Sequence, residues 1–447
     1  MSTGLRARLQ RRRPTGHHHL LTGSAVLVLG AAVQALTGSV FWLVAARLDD
    51  QADVGNATAL YTSVLFVTYL AGLGLPVAVA RYAADRSAEA DTVFTWGLLA
   101  TAASSLVFGI GYVAVVPAGA ADVLTDLHPV GGPLLFAVLV VGAAYSLVVD
   151  VRFMTVRRWN LVLIRIIAVG LIRIPLLFAL PDHDDRALWL FVFAAGPVAV
   201  SGFLSAAVLD RVTGGQLRLR PPPRTAAAVA RYSAVNYVST LAYQAPYFVL
   251  PVIVLAHVRA EVNASFYVAW GIVSVAFYVP SAIGQALLAE GGKDGAQLRG
   301  QLRLAMGLAV GLMGVGALGA FVGSDVVEAV YGRDYAEAAR ILPSLMAAGV
   351  PWAITSLYLT EARVRHRHVA TVAITVALTG AIIVPALVLV PRHGIDGAGQ
   401  AWLIGNIIAA VVAVTASGLS RRGRRLATDP LGDLPTTPTV VVEPIAG

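Results

Sequence analysis

Two arginines eight residues apart, Arg165 and Arg173, lie in an otherwise uncharged apolar segment from Trp159 to Leu180. Eight residues leave two side chains of a helix within an arc of roughly 80°, so both arginines share one face. An arginine inside the hydrocarbon is costly and usually faces a wet cavity or an opposite charge. Because a guanidinium fork matches phosphate oxygens, we expect this face to bind an anion. The alternative is that the two side chains snorkel towards opposite membrane surfaces.

Three further charged residues lie near the predicted inner ends of helices. We expect Asp150 to form an ion pair with Arg165 across a hairpin of two helices, and the alternative is a proton- or cation-responsive gate. Arg152 is a candidate contact for an incoming anionic group, with an interfacial anchor as the alternative. Arg81 is interpreted as an inner-surface anchor or a gating contact.

Polar and aromatic residues follow a helical spacing in the segment after residue 232. Steps of four, three and four residues place one set on a single helix face: Asn236, Thr240, Tyr243 and Tyr247. Amides and hydroxyls can hydrogen-bond sugar hydroxyls, and tyrosine rings offer flat surfaces for sugar faces. Gln34 and Gln244 are further candidates for a binding surface. The alternative for all six is polar contact between neighbouring helices.

The composition identifies the environment in which these residues must be held. Of 447 residues, 57% are hydrophobic and 13% are charged, about half the charged share of roughly 25% in soluble domains. A water-soluble fold, disorder and a fibrous repeat are therefore excluded. The net charge of +8 does not indicate nucleic-acid binding, because the basic residues avoid half of the loops. With no cysteine, no disulfide or thiolate metal site is expected, and we predict neither a cofactor nor a metal.

The apolar residues are gathered into stretches long enough to cross a bilayer, which takes about 20 residues. Eleven stretches lack charged residues, and the segment with the two arginines is a twelfth. We predict an all-α membrane protein with twelve spans, at 14–46, 54–80, 92–121, 127–149, 159–180, 187–209, 232–258, 262–289, 304–324, 341–360, 368–391 and 397–420.

The positions of Lys and Arg predict the orientation, since cytoplasmic loops retain them. With the N-terminus inside, 25 of the 33 basic residues fall in inner segments and 6 in outer loops. Both termini are therefore predicted to be cytoplasmic. The basic N-terminal stretch leads into a full-length span without a clear cleavage site, which argues against a signal peptide.

The two halves of the chain carry matching fragments in the same order, at offsets of 207 to 210 residues. Ser24-Ala25-Val26 matches Ser233-Ala234-Val235, and Gln34-Ala35 matches Gln244-Ala245. Six spans in each half imply a parallel repeat, with a central cavity between two bundles. The predicted units are a cytoplasmic tail (1–19), a six-helix bundle (20–210), a cytoplasmic linker (211–231), a second six-helix bundle (232–420) and a flexible cytoplasmic tail (421–447).

The loops and motifs argue against an enzyme. The longest outer loop, around 117–130, has only about a dozen residues, too few to fold into a catalytic unit. No phosphate-binding loop motif occurs, so ATP hydrolysis by this chain is not expected.

Several segments resemble the polysaccharide flippases of the multidrug/oligosaccharidyl-lipid/polysaccharide exporter superfamily. The resemblance covers essentially the whole membrane region. It rests on Ala46-Arg47-Leu48 through Gly55 to Gly72-Leu73-Gly74-Leu75-Pro76 and Arg81-Tyr82, on Gly332-Arg333-Asp334-Tyr335-Ala336-Glu337-Ala338, and on Gly394-Ile395-Asp396-Gly397-Ala398-Gly399-Gln400-Ala401.

The resemblance implies a bacterial plasma-membrane flippase for a polyprenyl-(pyro)phosphate-linked oligosaccharide. The expected partners are this lipid-linked glycan, membrane lipids and the polymerase or glycosyltransferase machinery, with H⁺ or Na⁺ exchange as an addition. The first alternative is a cation-coupled drug exporter, although the first, second, seventh and eighth helices have no central acidic residue. The second is a non-transporting partner of a polysaccharide synthase. Lipid II-type flippases resemble the chain less well, because they carry two further helices.

Overall fold

The computed structural model describes residues 17–82, 88–114, 122–125, 128–156, 158–179, 185–213, 226–289, 295–365 and 367–422. Within these residues every regular element is a helix, and no strand occurs. Most of the predicted N-terminal tail, most of the predicted linker and most of the predicted C-terminal tail lie outside the described residues.

Within the described residues, the first half of the chain contains seven helices of eight residues or more, and short breaks separate several of them. They are α1 (His17–Leu48), α2 (Gln51–Ala71), α3 (Leu75–Tyr82), α4 (Ala88–Val113), α5 (Gly131–Thr155), α6 (Trp159–Leu176) and α7 (Arg186–Thr213). A single 3₁₀ turn, Leu177–Ala179, follows α6. Pro175 lies inside α6 one residue before its end, where its missing amide cannot continue the helical hydrogen bonds.

The described part of the second half contains seven further helices. They are α8 (Ala226–Leu255), α9 (Ala260–Ala289), α10 (Gly295–Val322), α11 (Asp325–Tyr331), α12 (Ala336–Ala347), α13 (Gly349–Val364) and α14 (His368–Arg422). Gly394 interrupts α14 with φ 56° and ψ −135°, and two helices meet there. A Cβ on Gly405 would lie 2.7 Å from the carbonyl oxygen of Ala381, so the two parts of α14 fold back against each other.

The apolar helices identify a multi-pass membrane protein. Nine described segments are long and apolar enough to cross a bilayer, and one of them, Val369–Ser417, includes the break at Gly394. Helices cover most of the described part of each of the twelve predicted spans. The all-helical fold is therefore confirmed, and the count of twelve spans stays a prediction.

The buried fraction of a helix indicates whether it lies in the centre of the bundle or at its lipid-facing surface. Two-thirds of the apolar stretch of α5 is buried, against less than a quarter of that of α10. Gly142 of α5 lets α7 approach closely, since a Cβ there would lie 2.6 Å from the Cα of Ala199. Small residues allow such close helix contacts in a membrane, where apolar burial alone does not favour one helix over lipid.

The two halves contact each other at both ends of α2, which we call the Gly55 end and the Gly74 end. A Cβ on Gly55 would lie 2.0 Å from the carbonyl oxygen of Ala260 at the start of α9. Asn263 Nδ2 also donates a hydrogen bond to the Gly55 carbonyl at 3.2 Å. Further links at this end run from Arg47 to the carbonyl of Val330 and from Gln51 to Ser265.

The Gly74 end is a break between α2 and α3 that fits against α8. Leu73 and Gly74 both have positive φ, of 48° and 70°. Ser233 Oγ donates to the Leu73 carbonyl at 2.8 Å, and the Tyr237 hydroxyl donates to the Leu70 carbonyl at 2.7 Å. Side chains of the second half thus satisfy carbonyls that the end of α2 leaves without helical partners.

Candidate functional site

A cavity of about 600 Å³ lies between the two halves. Helices α1, α2 and α6 line one side, and α8, α9 and the end of α11 line the other. Among the described residues that line it, Arg173 is the only charged one. Seven tyrosines also line the cavity: Tyr61, Tyr69, Tyr243, Tyr247, Tyr267, Tyr278 and Tyr331. The cavity therefore combines one cation with many rings and hydroxyl groups.

Close packing of α1 on α6 holds Arg173 beside the cavity. One turn before Arg173, a Cβ on Gly170 would lie 2.5 Å from Thr37 Oγ1 of α1. Thr37 Oγ1 is itself fixed, because it donates a hydrogen bond to the Val33 carbonyl at 2.8 Å. A larger residue at position 170 would push α1 away from α6 and displace the cavity wall.

The Arg173 side chain is buried and has no anionic partner among the described residues. It is 5% exposed. Nη2 donates to the Tyr61 hydroxyl at 3.3 Å, and Cζ lies 5.4 Å from the centroid of the Tyr61 ring. Within the described part of the chain, Arg173 forms no salt bridge, and its Nε has no hydrogen-bond partner. The site therefore has unused donor capacity for an anion.

Arg165 lies on the same helix but in a different environment. Its Nε donates to Asp150 Oδ1 at 2.9 Å, its Nη2 contacts the other oxygen of that carboxylate, and its Nη1 donates to Ser201 Oγ at 3.2 Å. The two-point pairing of guanidinium and carboxylate is a strong arrangement. The structure thus brings Asp150 and Arg165 together as an ion pair, away from the cavity lining.

Arg152 also forms a salt bridge away from the cavity. Its Nη2 donates to Asp91 Oδ1 at 2.7 Å, and its side chain is 1% exposed. We expected Arg152 and Arg165 to contact substrate, and the structure places neither of them in the cavity lining. The physical reason is local, since each arginine has a carboxylate on a neighbouring helix.

Four of the predicted polar and aromatic residues line the cavity together: Gln34, Tyr243, Gln244 and Tyr247. Gln34 comes from α1 and the other three from α8, so they lie on opposite sides. The side chains of Asn236, Thr240 and Arg81 fall outside what the structure describes. Their predicted contacts stay predictions.

Sequence reasoning missed the aromatic wall that α9 contributes. Tyr267, Gly271, Ser274 and Tyr278 line the cavity with steps of four, three and four residues. The same spacing of residues predicted the candidate face on α8. A search for that spacing in α9 would therefore have found this wall. Trp270 lies beside these residues and contacts the Trp402 ring edge to face at 4.8 Å.

Tyr331 ends α11 and lines the cavity at the Gly55 end. Burial raises the pKa of its hydroxyl, so the group stays neutral and acts as a hydrogen-bond donor and acceptor. In the described ranges no group of three His, Asp or Glu residues could hold a metal ion. The chemistry available in the cavity is therefore hydrogen bonding, ring stacking and binding of negative charge.

Comparisons with known proteins show which fold surrounds this cavity. No family model matches the chain, and no curated protein matches it. An inward-facing multidrug resistance transporter of the MATE family and MOP superfamily superposes with a TM-score of 0.66. The sequences are 15% identical, and the match covers 89% of this chain and 96% of that one.

Two other solved structures share the fold. The lipid II flippase MurJ in an inward closed conformation matches with a TM-score of 0.68 at 10% identity, over 87% of each chain. A MOP superfamily transporter from Pyrococcus furiosus Vc1, described as having a binding pocket of reversed polarity, matches with a TM-score of 0.56 at 17% identity. That match covers 92% of this chain and 96% of that one. The chain therefore has the fold of these membrane transporters.

Proposed function

We propose that the protein is a flippase that moves a polyprenyl-(pyro)phosphate-linked oligosaccharide from the cytoplasmic to the outer leaflet. The observation that carries this proposal is the Arg173 guanidinium, which is buried in the wall of the central cavity and has no carboxylate partner among the described residues. Cell-surface polysaccharide export would be the process served, with a polymerase or glycosyltransferase receiving or supplying the glycan.

The sign of the cavity charge selects the class of substrate. A buried cation without a carboxylate gains interaction energy when an anion enters, and a guanidinium binds phosphate oxygens at two points. A cationic drug would be repelled by the same group. The Pyrococcus furiosus transporter, whose pocket polarity is described as reversed, supports the idea that pocket charge separates functions within this fold.

The remainder of the cavity suits a saccharide. Its seven tyrosines provide rings and neutral hydroxyls, and Gln34 and Gln244 add amides on opposite walls. Its volume of about 600 Å³ lies within the roughly 300 to 1,000 Å³ of ligand-binding pockets. The phosphate would therefore lie at Arg173, and the sugars against α8 and α9, while the lipid chain stays in the bilayer.

Alternating access would require the halves, residues 20–210 and 232–420, to separate at one end while they stay closed at the other. Polar links hold both the Gly55 end and the Gly74 end, so each is a candidate gate. With both termini cytoplasmic, the Gly55 end would face outside. A membrane potential that is negative inside favours outward movement of an anion by about 2.3 kcal/mol per charge per 100 mV. H⁺ or Na⁺ exchange would add to this driving force.

Reconstitution into liposomes tests this function. The full chain is given a fluorescent lipid-linked oligosaccharide, and headgroup exposure is measured with and without an imposed potential. A parallel set of liposomes contains a fluorescent cationic drug. We expect protein-dependent exposure of the oligosaccharide, faster when the potential favours anion exit, and no protein-dependent drug movement.

Protein-free liposomes are the control for spontaneous flipping. Drug movement without oligosaccharide movement would overturn the proposal in favour of a multidrug exporter. Movement of neither probe, in a protein that retains its folded state, would favour a non-transporting partner of a synthase.

A further inference from the structure

Tyr61 contacts the Arg173 guanidinium through both its hydroxyl and its ring. Its hydroxyl accepts a hydrogen bond from Nη2 at 3.3 Å, while its ring centroid lies 5.4 Å from Cζ. Hydroxyl and ring thus both hold the same cation, one through a hydrogen bond and one through the ring quadrupole. No other cavity tyrosine in the described residues has a ring contact of this kind with a cation.

Neighbouring rings fix the position of Tyr61. The Trp42 ring of α1 lies 5.9 Å from the Tyr61 ring, and Phe41 packs edge to face on Trp42 at 4.9 Å. Tyr61 and Trp42 both line the cavity. The Tyr61 ring of α2 is therefore held in place by α1 without any ligand in the cavity.

The direction of the hydrogen bond leaves the phenol proton free. A tyrosine hydroxyl that accepts from a guanidinium still has one O–H to donate, and the cation polarises that bond. Arg173 keeps an unpartnered Nε. The phenol O–H and the remaining guanidinium N–H groups are therefore donors that an anionic oxygen could accept from.

We infer that Tyr61 is a specificity-determining residue for the anionic group. It positions the Arg173 guanidinium, and its O–H donates a hydrogen bond to a phosphate oxygen. This inference rests on the proposed function and goes beyond it, because it makes the phosphate site a guanidinium–phenol pair. The sugar portion of the substrate takes no part in it.

The test measures binding of farnesyl monophosphate and of farnesol to the purified full chain in detergent. The variants are Tyr61→Phe, Arg173→Met and the double substitution. Tyr61→Phe keeps the ring and removes the hydroxyl, so it should weaken phosphate binding about tenfold and leave farnesol binding unchanged. In the Arg173→Met background, Tyr61→Phe should have almost no further effect, because the guanidinium that holds the phosphate beside the phenol is gone. Tyr145→Phe is the matched control, since the Tyr145 ring packs on the Phe203 ring at 5.7 Å and does not line the cavity.

The outcomes separate this inference from the proposed function. If the unsubstituted chain binds the phosphate through Arg173 but Tyr61→Phe binds it equally well, the inference alone is overturned. Equal losses for farnesyl monophosphate and farnesol would also overturn it, since they indicate a structural role for the hydroxyl. If the unsubstituted chain binds the phosphate no better than farnesol, both the inference and the anionic substrate are wrong.

Discussion

Arg165 and Arg173 occupy one helix face, yet their surroundings differ completely. Arg165 has a carboxylate partner, Asp150, on α5 and a hydroxyl partner, Ser201, on α7. Arg173 has one phenol partner, Tyr61, and lines the central cavity. Identical side chains two helical turns apart can therefore serve stability in one case and ligand binding in the other. What separates them is the presence of a carboxylate on the neighbouring helix.

The difference predicts opposite consequences for folding and for transport. Removing one member of a buried ion pair leaves a charge without compensation, whereas removing an unpaired buried charge relieves a cost. Changes at the Arg165 pair should therefore lower stability, and changes at Arg173 should lower substrate binding with little loss of stability.

The largest effect on stability should follow Arg165→Met. This substitution leaves the Asp150 carboxylate, 12% exposed, without its cation, and we expect the free energy of unfolding to fall by about 3 kcal/mol. Equilibrium unfolding in mixed micelles measures the change. The double substitution Asp150→Leu/Arg165→Met should recover most of the loss, because no charge is left unpaired. If Arg165→Met is as stable as the unsubstituted chain, the Asp150–Arg165 ion pair does not stabilise the fold.

A smaller effect, on binding, should follow Arg173→Lys. The ammonium keeps the positive charge but lacks the planar fork that meets two phosphate oxygens. We expect affinity for farnesyl monophosphate to fall about tenfold, with unfolding unchanged. If Arg173→Lys binds farnesyl monophosphate as tightly as the unsubstituted chain does, the positive charge alone holds the anion and the fork geometry is not needed.

The smallest effect should follow Arg340→Ala. Arg340 pairs with Asp396, but the two side chains are 54% and 38% exposed, and exposed pairs contribute about 0 to 1 kcal/mol. The same unfolding measurement should therefore detect a change below about 1 kcal/mol. A loss equal to that of Arg165→Met would mean that burial does not explain the difference between the pairs.

The sequence predicted the helices well, because bilayer-length apolar stretches have few alternative structures. It also indicated the hairpin contact of Asp150 with Arg165, since both residues lie near the same end of consecutive helices. It still assigned Arg165 and Arg173 to one anion-binding face, because spacing along one helix does not show which part of that face borders a cavity. Tyr61 was missed for the same reason, since α2 and α6 are brought together only by the tertiary fold.

Two spans that the sequence predicted as continuous helices contain breaks near glycines. The predicted second span, 54–80, is broken at Leu73 and Gly74, where both residues have positive φ. The predicted span 341–360 lies across the junction of α12 and α13. Apolar composition alone does not report such breaks. Packing against α8 explains the first one, since Ser233 and Tyr237 satisfy the exposed carbonyls.

The most direct test of the anionic site is the flipping rate of the Arg173→Met variant for a lipid-linked oligosaccharide in liposomes. The matched control is Asp150→Leu/Arg165→Met, which removes the other intramembrane guanidinium of the same helix. Because hydrogen bonds to charged groups contribute about 1.5 to 3 kcal/mol, we predict that Arg173→Met lowers the rate about a hundredfold at unchanged folded yield. The control should flip at nearly the unsubstituted rate. Normal flipping by Arg173→Met, or an equal loss in the control, would contradict the assignment of Arg173 as the anion-binding group.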